Sequence, residues 1–435
     1  MNNGSLLFKN ALLTEDLGFG MKLVYISVRD GVIDYVGTEE PKERAYTRVV
    51  DCRGNLIIPA FYNAHAHLPM CAFRGYGENL PLDRWLNERI FPAEDRLTPD
   101  IVRAASLLSV AEMIRSGTVS FSDMYMFSDI VADVAVESGV KANISRATVS
   151  FDPTENPADS FRIAEAVELY KKYNGAGDGR IIIDFSVHAE YTNTERMCRY
   201  VAELAARYGA GIHVHLSETE KEHLEGISRR AMTPTEFFAD CGLFDLRAYA
   251  AHCVWVTDSD MDILKDKGVS IVHNPTSNLK LGSGVMPLIS MLKRGINVCL
   301  GTDGASSNNT QSMLKELQLA AILHKGVQRD AQALRSDEIL SLASRNGALS
   351  QGRRDCGLIK AGYRADLVMI NMDSVNNIPC YTPSATLCYS AENSDVLMTV
   401  CDGKILYENG EFKTIDVEKA KADAKKAFSI YYDLQ

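Results

Sequence analysis

Short β-rich apolar runs alternate with amphipathic segments between about residues 56 and 350. In the amphipathic segments the apolar residues recur at steps of three and four, which predicts helices. Many of these segments stop at a glycine, as expected just past a helix end; these are Gly117, Gly139, Gly209, Gly268 and Gly295. The predicted strands are LIIPAFYNAHAH, TVSFSDM, KANISRATV, RIIIDFSVHAE, GIHVHLSE, AYAAHCVW, VSIVHNP and NVCLGTDGA.

Eight strands, each followed by a helix, predict an α/β protein built on a (β/α)8 TIM-like barrel. A doubly wound open sheet alternates in the same way. However, no Gly-rich dinucleotide-binding loop follows the first strand, so the barrel is favoured.

The two ends of the chain have a different pattern, with short strands and tight turns. Asp30-Gly31 and Asp402-Gly403 are turn signals between apolar runs. Two β-rich ends most simply form one small β-sandwich beside the barrel, and VEKAKADAKKAFSIYYDL predicts a terminal helix. The predicted domains are 1–58 (N-terminal part of the sandwich), 59–358 (barrel) and 359–435 (C-terminal part of the sandwich plus the helix).

The composition of the chain limits its possible binding partners and cellular location. The chain has 435 residues and a formal net charge of −11, which argues against nucleic acid and anionic membranes because both need a basic patch. We see no secretory signal and no apolar run of about 18 residues. The ten cysteines are scattered without a CxxC pair, which favours reduced thiols and a cytoplasmic location.

Paired histidines end two of the predicted strands. His65 and His67 close the first, and His213 and His215 close the fifth. Side chains two apart on a strand share a face. Each pair can therefore converge on one ion at the C-terminal mouth of the barrel, where barrel enzymes carry out their chemistry.

Further polar residues follow other strands at the same rim. Taken singly, Glu218 is more often a solvated loop carboxylate or a charge at a helix N-terminus, and Asp303 in GTDG is equally a helix cap. His188, His252 and His273 follow the fourth, sixth and seventh strands. With His65, His67 and His215 they make six of the nine histidines near one rim, whereas chance placement would scatter them, so we predict a functional cluster.

The sequence blocks that contain these residues resemble the amidohydrolase superfamily, and within it the 5′-methylthioadenosine/S-adenosylhomocysteine deaminase family. The triazine chlorohydrolases and aminohydrolases share most of the same blocks. The resemblance is carried by PAFYNAHAHLPM, WLNERIFPAED, GIHVHLSETEKE, AHCVWVTDSDMDIL, VSIVHNPTSNLKLGSGVMPL and NVCLGTDGASSNNTQSMLKELQLAA.

The resemblance implies one divalent ion held by His65, His67, His215 and Asp303. His213 would lie a layer deeper in a structural role. His188 stands where binuclear relatives carry a carbamylated lysine, so a single ion is expected. Nitrogen-rich ligation suits Zn²⁺, with Fe²⁺ as second choice.

The resemblance also implies the roles of the remaining residues. Glu218 would be the proton shuttle, and His252 and Asp303 would steady the attacking water and the developing charge. Glu94 would bind ribose hydroxyls, and His188 would contact the substrate. Arg146 and Arg162 would meet the amino-acid or sulfur end of the nucleoside, and it is open whether a neighbouring subunit supplies one of these arginines.

The implied activity is a metal-dependent hydrolytic deaminase of adenosine-type nucleosides, a small-molecule enzyme that forms a homo-oligomer. The alternative is an amidohydrolase acting on an aminated or halogenated N-heterocycle of the triazine or guanine type. A non-catalytic binding protein on a degenerate barrel would be expected to lack ligands, yet all four are present. A nucleic-acid base deaminase is disfavoured by the net charge and by the absence of a Pro-Cys-x-x-Cys signature.

Overall fold

A computed structural model describes residues 4–42 and 45–434 of the chain. Its strands are β1 (Ser5–Ala11), β2 (Val24–Arg29), β3 (Val32–Gly37), β4 (Arg48–Asp51), β5 (Leu56–Pro59), β6 (Phe61–His67), β7 (Thr118–Tyr125), β8 (Lys141–Arg146), β9 (Ile181–Ile183), β10 (Phe185–Val187), β11 (Ile212–Leu216), β12 (Ala248–His252), β13 (Ser270–His273), β14 (Val298–Leu300), β15 (Asp303–Gly304), β16 (Leu367–Ile370), β17 (Val396–Cys401), β18 (Lys404–Glu408) and β19 (Glu411–Phe412).

The α-helices follow the barrel strands or pack around them. They are α1 (Leu82–Trp85), α2 (Phe91–Glu94), α3 (Pro99–Arg115), α4 (Ser128–Ser138), α5 (Phe161–Tyr173), α6 (Glu195–Tyr208), α7 (Glu220–Arg230), α8 (Pro234–Asp240), α9 (Asp258–Asp266), α10 (Pro275–Lys280), α11 (Leu288–Lys293), α12 (Ala305–Asn308), α13 (Met313–Gln328), α14 (Ser336–Ala343), α15 (Arg345–Ser350), α16 (Pro383–Tyr389) and α17 (Val417–Ala427). The five glycines predicted to end helices all have positive φ, between 63° and 87°, the conformation in which glycine carries no steric penalty.

The barrel strands form two five-stranded parallel arcs, ordered β15-β6-β7-β8-β9 and β10-β11-β12-β13-β14. At one junction between the arcs, the backbone N–H of Asp184 donates to the Ile144 carbonyl at 3.0 Å, and the N–H of Phe185 donates to the Gly211 carbonyl at 2.9 Å. At the other, the N–H of Gly301 bonds to His273 at 3.0 Å, and β15 pairs with β6. These bonds link the arcs into a ring, and the predicted TIM-like fold class is confirmed.

Both chain ends contribute to two further sheets, ordered β3-β2-β1-β4 and β19-β18-β17-β16-β5. Strand β5 comes from the N-terminal end yet pairs with β16 from the C-terminal end. Apolar side chains of the two sheets pack together in one core, which includes Phe8, Ile26, Ile57, Leu367 and Met398. The sandwich is therefore present, and the exact domain boundaries at 58/59 and 358/359 stay a prediction.

Both predicted tight turns are formed. Asp30 and Gly31 have φ of 48° and 79°, and Asp402 and Gly403 have φ of 46° and 72°, as a type I′ hairpin requires. A Cβ on Gly403 would lie 3.1 Å from the Gly31 Cα, so the two hairpin tips touch. This contact joins the N-terminal and C-terminal segments directly.

None of the helices that the structure describes has the length and apolar character to cross a membrane. The ten cysteines are free thiols, and all except Cys380 are buried.

Candidate active site

The side chains predicted to carry chemistry meet at the carboxyl ends of the barrel strands. His65 and His67 lie at the end of β6, His215 lies in β11, His252 ends β12 and Asp303 begins β15. All five are buried. Parallel strands bring their carboxyl ends to one face of a barrel, so residues far apart in the sequence become neighbours.

Unusual backbone conformations aim several of these side chains. Ser217, His252, Cys253 and Asp303 have φ of 45°, 73°, 48° and 62°. Positive φ is uncommon for residues other than glycine and costs energy unless the surroundings hold it. At His252 the positive φ breaks the strict alternation of a strand, which turns the imidazole toward the site.

Four electron-pair donors converge at the floor of the barrel mouth. Asp303 Oδ1 lies 3.3 Å from His65 Nε2 and 3.1 Å from His67 Nε2. His215 Nε2 lies 3.3 Å from His67 Nε2. A tetrahedral metal site with bonds of about 2.0–2.1 Å has donor–donor distances of roughly 3.3–3.4 Å, and the three spacings given above match that value.

The protonation of these imidazoles supports the same conclusion. His67 Nδ1 donates to the Met124 carbonyl at 2.6 Å, and His215 Nδ1 donates to the His188 carbonyl at 2.8 Å. Each Nε2 therefore carries a lone pair, the tautomer that binds metals. Burial lowers the pKa of His65 to about 3 and lowers that of His215. Lone pairs and a carboxylate that face one another favour a bound cation, so these residues fit a divalent metal.

The segment around Asp303 packs closely against the residues that surround the convergence point. Ser277 and Ser307 donate to Asp303 Oδ2 at 2.6 and 2.8 Å, which leaves Oδ1 facing the histidines. A Cβ on Gly301 would lie 2.9 Å from the His65 Cβ, and one on Gly304 would lie 2.6 Å from the Met70 sulfur. At Gly301 a Cβ would also lie 2.8 Å from Val272 Cγ1, so glycine is what leaves room for this approach, whereas at Gly304 the flexible Met70 side chain could shift.

Glu218 and His252 lie beside the convergence point. Glu218 Oε1 accepts from the Ser283 hydroxyl at 3.1 Å, and its Oε2 lies 3.8 Å from His252 Nε2. His252 Nδ1 donates to Asn278 Oδ1 at 2.8 Å, which directs its Nε2 toward the site. Burial raises the pKa of Glu218, as suits a group that both takes up and releases a proton.

One segment supports three of these residues. Ser277, Asn278 and Ser283, in and just after α10, contact Asp303, His252 and Glu218 respectively. Sequence reasoning missed these supporting contacts, although all three residues lie in the block VSIVHNPTSNLKLGSGVMPL. The sequence does contain a signal for them, because all three are polar residues that follow the seventh predicted strand.

A cavity of about 1030 Å³ opens above the convergence point. The residues expected to bind the metal, to contact the substrate or to catalyse the reaction line it, except His65, which lies behind them. Glu94 accepts a hydrogen bond from the Tyr125 hydroxyl, a partner that sequence reasoning did not name. Burial raises the pKa of Glu94 to about 7.

The predicted arginines lie in the same cavity with different surroundings. Arg146 Nε donates to Glu165 at 2.6 Å, so a carboxylate of the chain already pairs with this cation. The Arg162 guanidinium lies over the Phe161 ring, 4.5 Å from its centroid, and burial with the nearby Arg146 lowers its pKa. Sequence reasoning did not find Glu165.

The other histidines divide into two groups. His188 lies in the cavity with its ring 4.8 Å from that of His215, and burial lowers its pKa to about 4. His213 lies below, with Nε2 2.8 Å from His65 Nδ1. His273 is not part of the cluster, because Val272 packs inside the barrel and the next side chain on a strand points outward. There it contacts His324 at 2.9 Å.

Comparison with known proteins agrees with this geometry. The model of the amidohydrolase family matches residues 56–406. A 5-methylthioadenosine/S-adenosylhomocysteine deaminase of Acetivibrio thermocellus is 41% identical over 92% of this chain and 93% of its own length. A 5′-deoxyadenosine deaminase of Methanosarcina mazei is 39% identical over 97% of both chains.

Among solved structures, an adenosine deaminase from Xanthomonas campestris with bound zinc superposes with a TM-score of 0.91. It is 30% identical, and the match covers 98% of each chain. The family match spans the whole barrel and part of the sandwich, and the relatives match nearly end to end. The chain therefore belongs to the amidohydrolase family, as its fold, its converging side chains and these similarities show.

Proposed function

We propose that the chain is a metal-dependent hydrolytic deaminase of adenosine-type nucleosides. Its substrates would be S-adenosylhomocysteine, 5′-methylthioadenosine, adenosine or 5′-deoxyadenosine. The observation that carries the proposal is the convergence of four lone-pair donors beside Glu218 and His252 at the floor of one cavity. The activities named for the similar proteins support the substrate class.

His65, His67, His215 and Asp303 would hold one divalent ion, with Zn²⁺ favoured by the three imidazole nitrogens. When bound, such an ion lowers the pKa of water from about 15.7 to about 7 and so makes a nucleophile available at neutral pH.

Glu218 would accept the proton that water loses and transfer it to a ring nitrogen of the adenine. Water adds to the carbon that bears the exocyclic amine. The remaining proton of the added water then reaches the amine, so the C–N bond breaks with neutral ammonia as the leaving group and the C–O bond becomes a carbonyl. One water is consumed, one ammonia leaves, and the amino group becomes a carbonyl. His252, whose Nδ1 donates to Asn278, would orient the water through Nε2 and stabilise the charge that develops.

Glu94 and His188 would position the nucleoside. A carboxylate that accepts from Tyr125 retains lone pairs for two further hydroxyls, as the vicinal hydroxyls of ribose require. His188 lies in the same cavity, its Nδ1 3.2 Å from the Thr192 hydroxyl.

Arg162→Ala is expected to lower kcat/KM for S-adenosylhomocysteine about tenfold and to leave 5′-deoxyadenosine unchanged. Arg146 is paired with Glu165, whereas Arg162 has its guanidinium available for a carboxylate at the 5′ end. A hydrogen bond to a charged group contributes about 1.5–3 kcal/mol, and partial exposure favours the lower value. Steady-state kinetics on both substrates measure the effect.

The matched control is Lys171→Ala, which removes an exposed cation from the same helix α5. Equal losses on both substrates, or no loss on S-adenosylhomocysteine, would contradict a role for Arg162 at the 5′ end.

Ammonia release tests the proposal as a whole. The metal-loaded enzyme is supplied with adenosine, 5′-deoxyadenosine, methylthioadenosine, S-adenosylhomocysteine, guanine and melamine. We expect the highest kcat/KM on one of the four adenosine-type nucleosides. Activity confined to guanine or melamine, or chloride release from a chlorinated triazine, would overturn the substrate class.

A further inference from the structure

A carboxylate outside the proposed reaction supports the backbone of Glu218. Glu222 lies in the first turn of α7 and is 6% exposed. Its Oε1 accepts from the Ser217 N–H at 2.9 Å, and its Oε2 accepts from the Glu218 N–H at 2.8 Å. Both carboxylate oxygens therefore bind the two successive peptide groups that lead into the proposed proton shuttle.

This arrangement differs from an ordinary helix cap. A glutamate at the third helical position normally bonds to the N–H of the capping residue itself. Glu236 in α8 does so, because its Oε2 accepts from the capping Thr233 N–H at 2.7 Å. Glu222 occupies the equivalent position in α7, after the capping Thr219, yet it reaches past that residue.

The contacts matter because the supported backbone is strained. Ser217 has φ of 45°, a conformation that persists only where surrounding contacts hold it. Among the residues that the structure describes, the Glu218 carboxylate has one hydrogen bond, from the Ser283 hydroxyl at 3.1 Å, while His252 Nε2 lies 3.8 Å away. The direction of the Glu218 side chain therefore depends on the peptide groups that Glu222 binds.

We infer that Glu222 is a positioning residue for Glu218: its two hydrogen bonds fix the 217–218 backbone so that the shuttle carboxylate faces the reacting atoms. The inference rests on the proposed role of Glu218 and does not depend on which heterocycle is the substrate.

Glu222→Gln in the full-length, metal-loaded enzyme tests this. Glutamine serves as well as glutamate in an ordinary capping box, but here its NH2 group would face a backbone N–H. We expect kcat to fall at least tenfold, with KM within threefold and metal content unchanged. The matched control Glu236→Gln makes the same substitution at the ordinary cap and is expected to keep wild-type kcat.

A double-mutant cycle with Glu218→Gln separates positioning from a general structural role. If Glu222 acts through Glu218, Glu222→Gln costs less than threefold once Glu218 is replaced. Wild-type kcat in Glu222→Gln, or an undiminished loss in the double variant, would overturn the inference. If Glu222→Gln does not fold, the same cycle is run with Glu222→Asp, which keeps the charge on a shorter side chain.

The double-mutant cycle uses whichever compound of the ammonia-release experiment is turned over fastest. Turnover of a triazine or guanine alone would refute the proposed nucleoside substrate and still leave the Glu222 cycle measurable.

Discussion

Replacing Glu218 with glutamine is expected to leave the metal bound and to lower kcat by about 10²- to 10⁴-fold, the usual contribution of a positioned general base. Glutamine keeps the size of the side chain and can still accept from the Ser283 hydroxyl, which lies 3.1 Å from Oε1. It cannot accept a proton at neutral pH. The loss should therefore appear in kcat, with little change in KM.

Metal content and turnover must be measured on the same preparation. Elemental analysis should give one ion per chain in Glu218→Gln and in the wild type, because Glu218 is not among the four converging donors. Glu220→Gln is a suitable control, since Glu220 is an exposed residue two positions along the chain. Near-normal turnover by Glu218→Gln with its ion in place would refute the shuttle assignment.

The features that could be predicted from the sequence are those encoded in local spacing. Two histidines separated by one residue share a strand face wherever the strand is placed, and this spacing indicated His65 and His67. The two Asp-Gly turns depend on φ preferences of adjacent residues. The repeating strand and helix pattern then fixed the rim at which separate strands present their last residues.

The features that were missed depend on contacts between distant segments. The fourth predicted strand is interrupted at Asp184, whose buried carboxylate accepts from Asn143 at 2.7 Å and Tyr249 at 3.0 Å. Nothing near Asp184 in the sequence announces those partners. The Arg146–Glu165 pair likewise depends on how α5 packs over β8.

His273 and Glu222 illustrate two further limits. His273 follows a strand as the site histidines do, but its position in the alternation sends it to the outer face, where it meets His324. A strand register must be known before that distinction can be made. Glu222 is close in sequence to Glu218, yet its contacts with the 217–218 backbone accompany a positive φ at Ser217, which the sequence does not indicate.

His67→Ala is expected to abolish the stabilisation that zinc gives the wild-type protein and to reduce turnover to the level of the metal-free enzyme. His67 Nε2 lies 3.1 Å from Asp303 Oδ1 and 3.3 Å from His215 Nε2, so its removal leaves a gap among the donors. A ligand that binds only the folded state stabilises it by about 4.1 kcal/mol at 1,000 times its Kd. Urea unfolding of chelated and zinc-supplemented protein measures this increment independently of activity.

The increase in the free energy of unfolding that zinc produces, rather than the stability itself, distinguishes a metal-binding histidine from any other buried histidine. His324→Ala is the matched control, because His324 is 1% exposed and pairs with His273 on the outer side of the barrel. Its removal leaves a cavity and should lower the free energy of unfolding with and without zinc alike, so the zinc increment should stay at the wild-type value. If His67→Ala retained the full increment, or if both variants lost it equally, the ion would not be held by the residues that converge on Asp303.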